Sequence, residues 1–206
     1  MSVVAIVPFK GLDTGKQRLA ACLSPSQRSL LNQLMLEDVL RIARAASVFE
    51  EIWVLSVEPL AAPGDCRWVQ DTGYDLNSSL SRAAMQVARI ADSMVVLPAD
   101  LPSVSTADLR AVVAAARSHA VVVIPDTSGS GTNALALSPP TAIVPRFGAN
   151  SRYFHEAAAR ERGLSTSTLM LPSIAADVDE PTDLARLTKI HPDRYGFLGR
   201  LQQSAW

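Results

Sequence analysis

Four short segments combine residue types that can hold ions. The first, Pro8-Phe9-Lys10-Gly11-Leu12-Asp13-Thr14-Gly15-Lys16-Gln17-Arg18, sets two glycines among three cations. Glycine lets backbone N–H groups approach an anion, Lys supplies a point charge and Arg a two-pronged contact. It is not a Walker loop: three residues rather than four precede Gly15-Lys16, and Gln17 stands where Ser or Thr is required. Alone, it also suits a surface turn with solvated cations. The second, Leu97-Pro98-Ala99-Asp100-Leu101-Pro102, delivers a carboxylate between two prolines after an apolar run. A hard oxygen there suits Mg2+, which keeps waters and takes only one or two protein carboxylates; capping a turn is the plainer role.

The third segment is Asp177-Val178-Asp179-Glu180-Pro181. Carboxylates at alternate positions of an extended chain share a side, giving further metal ligands or a pair with one raised pKa. Asp179 or Glu180 equally suits a helix N-cap. The fourth joins Gly129-Ser130-Gly131-Thr132-Asn133 to Arg146-Phe147-Gly148-Ala149-Asn150-Ser151-Arg152. It brings hydroxyl and amide donors, then Gly, Ser and Arg, to a helix start, where N–H groups and the dipole attract phosphate or carboxylate. Arg146 and Arg152 are candidate grips on a carboxylate. The glycine loop alone also reads as a plain strand connection.

These segments follow or flank short apolar runs at 3–7, 52–56, 67–69, 94–97, 121–124, 134–137 and 168–171, separated by stretches of helical period. Continuous apolar runs alternating with helices predict an α/β fold with a mostly parallel, Rossmann-like sheet covered on both faces. Ligands of such sheets bind beyond the strands' carboxyl ends, where these segments lie. The first helix is signalled by Ser24, Pro25 and Gln27, a capping box with Pro in the first turn, and by the stripe Leu31, Met35, Val39, Ile42, Ala46. A second carries Leu76, Leu80, Ala83, Val87 and Ile90 on one face. A third starts at Ser105, and others follow Ala149 and Glu180. Residues 191–206 show no clear period and stay unassigned.

The 206 residues carry 19 Lys plus Arg against 20 Asp plus Glu. That length predicts one domain, 1–206, and the near-neutral balance without a basic stripe argues against nucleic acid as a partner. No run approaches the ~20 apolar residues of a membrane span, so no membrane partner is expected. No basic region precedes the first apolar run and Pro8 ends it, so the cytoplasm is the expected compartment. Cys22 and Cys66 have neither metal nor redox spacing and read as two reduced thiols.

Taken together, Pro8-x-Lys10 with Gly15-Lys16-x-Arg18-Leu19, Leu97-Pro98-Ala99-Asp100-Leu101-Pro102, Gly129-x-Gly131-Thr132-Asn133-Ala134-Leu135, Arg146-Phe147-Gly148-x-x-Ser151 with His155, and Asp177-Val178-Asp179-x-Pro181-x-Asp183-Leu184 resemble the CofC family, including its FbiD members. These guanylyltransferases serve biosynthesis of coenzyme F-420. The resemblance spans about residues 3–187. It implies the glycosyltransferase-A-like, nucleotide-diphospho-sugar transferase type of Rossmann-like fold. It further implies transfer of GMP from GTP to a small phosphorylated acid (2-phospho-L-lactate, phosphoenolpyruvate or 3-phospho-D-glycerate), with release of pyrophosphate.

The implied roles fall on numbered residues. Asp100 and Asp177 are implied to hold Mg2+; on charge alone, Asp179 suits either a further ligand or a place behind the ligands, and Lys16 and Arg18 suit the charge developing on pyrophosphate. Lys10, Gly11, Gly15, Lys16, Asn77 and Asp100 serve the nucleotide; Thr132, Gly148 and Ser151 hold the phosphorylated acid. The context Tyr74-Asp75-Leu76 before Asn77 departs from the glycine or proline-like turn usual in the family. Residues 188–206 have no assigned role. A homodimer and hand-off of the product to the next pathway enzyme are left open. The rivals are a molybdopterin or sugar-phosphate nucleotidyltransferase, against which the absence of a Gly-Gly-x-x-x-Arg-Met loop speaks, and a noncatalytic nucleotide-binding protein.

Overall fold

A computed structural model describes residues 1–59, 66–72 and 74–203, with side chains described through 198. Seven strands form one sheet in the order β3-β2-β1-β4-β6-β5-β7: β1 Val3–Pro8, β2 Glu51–Ser56, β3 Arg67–Gln70, β4 Ser93–Val96, β5 Val121–Pro125, β6 Thr132–Leu137 and β7 Thr166–Thr168. All run the same way except β6, which is antiparallel to both β4 and β5. Its amino end therefore lies at the edge where the other six strands finish, so Thr132 and Asn133 reach the site from a strand's beginning.

Because side chains alternate across a strand, each apolar run feeds two cores. Val3, Ala5 and Val7 of β1 pack with α1 (Pro25–Ala46) and α3 (Thr106–Ala116). Val4 and Ile6 pack with α2 (Leu76–Val87) and α4 (Ser151–Glu161) on the other face. Burial on both sides is why these runs read as continuously apolar. The capping box of α1 forms: Ser24 Oγ accepts from Gln27 N at 3.3 Å and Ser24 N donates to Gln27 Oε1 at 2.7 Å. The side chains of Asp75 and Ser105 cap α2 and α3 by accepting from Ser78 N and Asp108 N.

Three expectations shift. Helix α2 stops at Val87, and Ile90 beyond it is exposed, because the stripe outlasts the helix by a turn. β7 occupies 166–168 rather than 168–171; Leu169 N still donates to Val123 O, but the apolar run packs against the core beyond the strand and leads into α5 (Pro172–Ala175). The unassigned tail folds as α7, Pro192–Gln203, after α6, Pro181–Ile190.

Helix α7 escapes a periodicity search because Gly196 interrupts a short stripe, yet Tyr195 and Leu198 are fully buried in a third core. That core includes Leu19 of the Gln17–Ala21 3-10 turn, Leu31 and Met35 of α1, and Val178, so the tail braces the segments that carry Lys16 and Asp177. Tyr195 Oη donates to Asp38 Oδ2 at 2.7 Å, and burial raises the phenol pKa above its ordinary value, which keeps it a donor. Tyr195→Phe keeps the ring but leaves the buried carboxylate one donor short, with Arg41 and Arg194 still on it. Urea unfolding should show a loss of about 1–2 kcal/mol; an unchanged midpoint would show that the tail is not held through Asp38.

Candidate active site

A cleft of about 640 Å3 opens at the carboxyl ends of the parallel strands. Its first wall is the loop after β1. Gly11 at φ +113° and Gly15 at φ +91° take conformations that side chains disfavour, and Lys16 itself is left-handed at φ 52°. Asn32, buried on α1, donates to Leu12 O at 2.8 Å and Thr14 O at 3.3 Å and so pins the loop. The sequence reading missed Asn32; its signal is a polar residue inside the apolar stripe of α1, where packing gives it no purpose.

The second wall is acidic. Asp100 follows β4, and Asp177 and Asp179 lie on the extended segment before α6. The three offer carboxylate oxygens within 4.8 Å of one another. Lys16 Nζ lies 2.8 Å from Asp100 Oδ2 and 2.7 Å from Asp179 Oδ1, its side chain only 8% exposed. Burial works to lower the Lys16 pKa, but the charges of Asp100 and Asp179 and their hydrogen bonds outweigh it, leaving the ammonium above its ordinary value. Asp177 is raised by burial first and then by Asp100, while Asn133 Nδ2 donates to its Oδ1 at 3.3 Å. Hard oxygens in this arrangement fit a divalent ion: bonds of about 2.1 Å span about 4.2 Å across Mg2+, so a small inward movement completes the set.

Lys10, Gly11, Gly15, Lys16, Asp100, Asp177 and Asp179 thus line one cleft. Arg18 does not line it: its side chain is 72% exposed and pairs with Glu180 at 3.1 Å. Asn77 stands on a separate depression, of about 760 Å3, between α2 and α4. Its Oδ1 accepts from Phe147 N at 2.7 Å and its Nδ2 donates to Phe147 O at 3.1 Å, so it holds the segment before Gly148.

Thr132, Gly148 and Ser151 do not line the cleft: Thr132 and Gly148 are chain neighbours of the cleft-lining Asn133 and Phe147, and Thr132 and Ser151 are buried behind them. Asp126 Oδ1 accepts from Ser130 N at 3.1 Å and Gly131 N at 3.0 Å. A Cβ on Gly131 would stand 2.5 Å from Asp126 Oδ2, so a side chain there would have to displace the carboxylate that accepts from Ser130 N and Gly131 N. Gly148 at φ +130° turns the chain into α4. There Ser151 Oγ, on a residue 1% exposed, has no hydrogen-bond partner among the described residues. A buried hydroxyl without a partner costs about 1–3 kcal/mol, and at the start of an eleven-residue helix an anion would satisfy it.

His155, fully buried, links the two halves: Nε2 accepts from Arg146 N at 2.9 Å and Nδ1 lies 3.2 Å from Thr132 Oγ1. Burial pushes its pKa down to about 4. The two arginines expected to grip a carboxylate are engaged elsewhere. Arg152 donates to Gly129 O at 3.1 Å and Glu156 Oε1 at 2.9 Å, and the Arg146 guanidinium stacks 3.8 Å over Phe154.

A family model described as guanylyl transferase, CofC-like, matches residues 3–198. The phosphoenolpyruvate guanylyltransferase of Sphaerobacter thermophilus is 37% identical over 193 residues, 91% of this chain and 93% of that protein. The 3-phospho-D-glycerate guanylyltransferase of Phenylobacterium zucineum is 33% identical, across 90% of this chain and 89% of its own. A Desulfovibrio desulfuricans G20 structure, described as a candidate nucleotide-diphospho-sugar transferase, superposes with a TM-score of 0.79 at 16% identity, across 99% of this chain and 98% of its own, which shows a shared fold. The match reaches through Leu198, so it includes most of α7, the helix that periodicity left unassigned. Neither the molybdopterin nor the sugar-phosphate rival gains support. The chain belongs to the CofC-like guanylyl transferase family.

Proposed function

We propose that this chain is a cytoplasmic guanylyltransferase domain, 1–206, that moves GMP from GTP to a small phosphorylated acid and releases pyrophosphate in coenzyme F-420 biosynthesis. The observation that carries the reading is the pairing of an acid cluster balanced by Lys16 with an unsatisfied hydroxyl at a helix start, at one edge of one sheet. Family membership and the relatives' names support GTP as donor and phosphoenolpyruvate or 3-phospho-D-glycerate as acceptor; 2-phospho-L-lactate completes the set.

The acceptor's phosphate is the nucleophile. A phosphate monoester is already ionised near neutral pH, so no side chain needs to act as a base. One of its oxygens attacks the α-phosphorus of GTP and pyrophosphate departs opposite. Two anions must be held in line, so positioning and charge balance supply most of the catalysis. Asp100, Asp177 and Asp179 would hold Mg2+, which would supply charge neutralisation at the α-phosphate.

Lys10, the Gly11 and Gly15 turns and Lys16 cradle the triphosphate. Lys16 reaches it by releasing the two carboxylates it now bridges. Arg18 joins the pyrophosphate by leaving Glu180, an exposed pair worth at most about 1 kcal/mol. Asn77 would meet the nucleotide by releasing the Phe147 peptide that its amide now holds. Thr132, the Gly148 turn and Ser151 hold the phosphorylated acid, by its phosphate or its carboxylate. Phe9, Val57 and Leu76, around the ends of β1 and β2 and the start of α2, give the base an apolar floor on the side away from Ser151.

Pyrophosphate release with Mg2+ and GTP should appear with one of the three acids, with the next pathway enzyme present to draw off a labile product. Asp100→Asn should lower kcat/KM by about 1000-fold with an unchanged unfolding midpoint. Silence with all three acids, or an Asp100→Asn enzyme that keeps a tenth of the activity, would sink the reading.

A further inference from the structure

His155 lies wholly buried between β6 and the Arg146–Gly148 segment, with each ring nitrogen on a different partner. A peptide N–H can only donate, so Nε2, which receives Arg146 N at 2.9 Å, carries no hydrogen. Burial holds the ring neutral at pH 7, with a pKa of about 4. A neutral imidazole with a bare Nε2 carries its hydrogen on Nδ1. That N–H faces Thr132 Oγ1 at 3.2 Å, so the hydroxyl oxygen accepts and the threonine's own hydrogen must point elsewhere.

We infer that His155 is a positioning residue which fixes the Thr132 hydroxyl as a hydrogen-bond donor, so that the neighbouring subsite selects a ligand oxygen bearing no hydrogen, such as an ionised phosphate oxygen. The inference rests on the reading that Thr132, Gly148 and Ser151 receive the phosphorylated acid. The same ring secures the turn before Ser151. It holds the Arg146 N–H and meets Phe147 edge to face at 5.5 Å, while Asn77 holds the Phe147 peptide from the other side. Losing the imidazole therefore frees the orientation of one hydroxyl and loosens one turn, both on the acceptor side of the cleft.

Histidine 15N spectra at pH 7, assigned with His119→Gln and His191→Gln, test the tautomer in the wild-type protein. A protonated Nδ1 and a bare Nε2 on His155, with the Nδ1 signal shifting when phosphoenolpyruvate is added, are expected. A charged ring, the opposite tautomer or no shift would overturn the inference. In turnover, His155→Asn should raise KM for the phosphorylated acid about tenfold and leave KM for GTP within about twofold. In that background Thr132→Val should cost less than about twofold more, and Thr132→Ser in the wild type should stay within about threefold. Equal rises in both KM values would make His155 merely structural. If His155→Asn does not fold, the wild-type spectrum decides alone. If the wild type turns over none of the three acids, the functional reading fails, and the same spectrum titrated with inorganic phosphate decides the inference: a shift upholds it and none overturns it.

Discussion

Three ionised carboxylates from two separate segments repel one another in one small volume unless a cation lies between them. In this chain the Lys16 ammonium, held by Asp100 and Asp179, meets that requirement. The contact also ties the loop after β1 to the end of β4 and to the segment before α6, which are far apart in sequence. Its surroundings follow from holding it: Asn32 fixes the loop's shape, Asn133 steadies Asp177, and the third core under Leu19 and Val178 supports both approaches. In the proposed reading the same ammonium is placed to meet phosphate charge once a divalent ion balances the acids.

The opposite side of the cleft depends on strand direction. Because β6 alone runs backward, Thr132 and Asn133 arrive at the edge where the other strands end. Asn133 then meets the acids in one cleft. The turn at Gly148 sets the start of α4 against that strand, and His155 joins the two.

Much of this was legible in the sequence. Buried strands announce themselves by continuous apolar runs, α1 by the Ser24 box, and the acids by their place after run ends. What stayed hidden depends on distance in three dimensions. The run 134–137 cannot disclose its direction, since a buried strand has the same composition either way. Asn32 hides in an apolar stripe, and His155 reads as helix packing until its two ring partners are seen. Arg18 and Arg152 look alike as candidate anion contacts, yet one is solvated beside Glu180 and the other is spent on Gly129 and Glu156. The tail is helical because Tyr195 finds Asp38, a partner 157 positions away.

The most direct measurement is the affinity of the protein for Mn2+, read from the loss of the free-ion EPR signal, in wild type and in Asp177→Asn. Among the described residues the Asp177 carboxylate pairs with no cation, Arg186 reaching only its backbone carbonyl, so its value to the cluster lies in a shared ion. The account predicts that Asp177→Asn weakens Mn2+ binding about tenfold or more while the fold is kept. Equal affinity in the two proteins would contradict it.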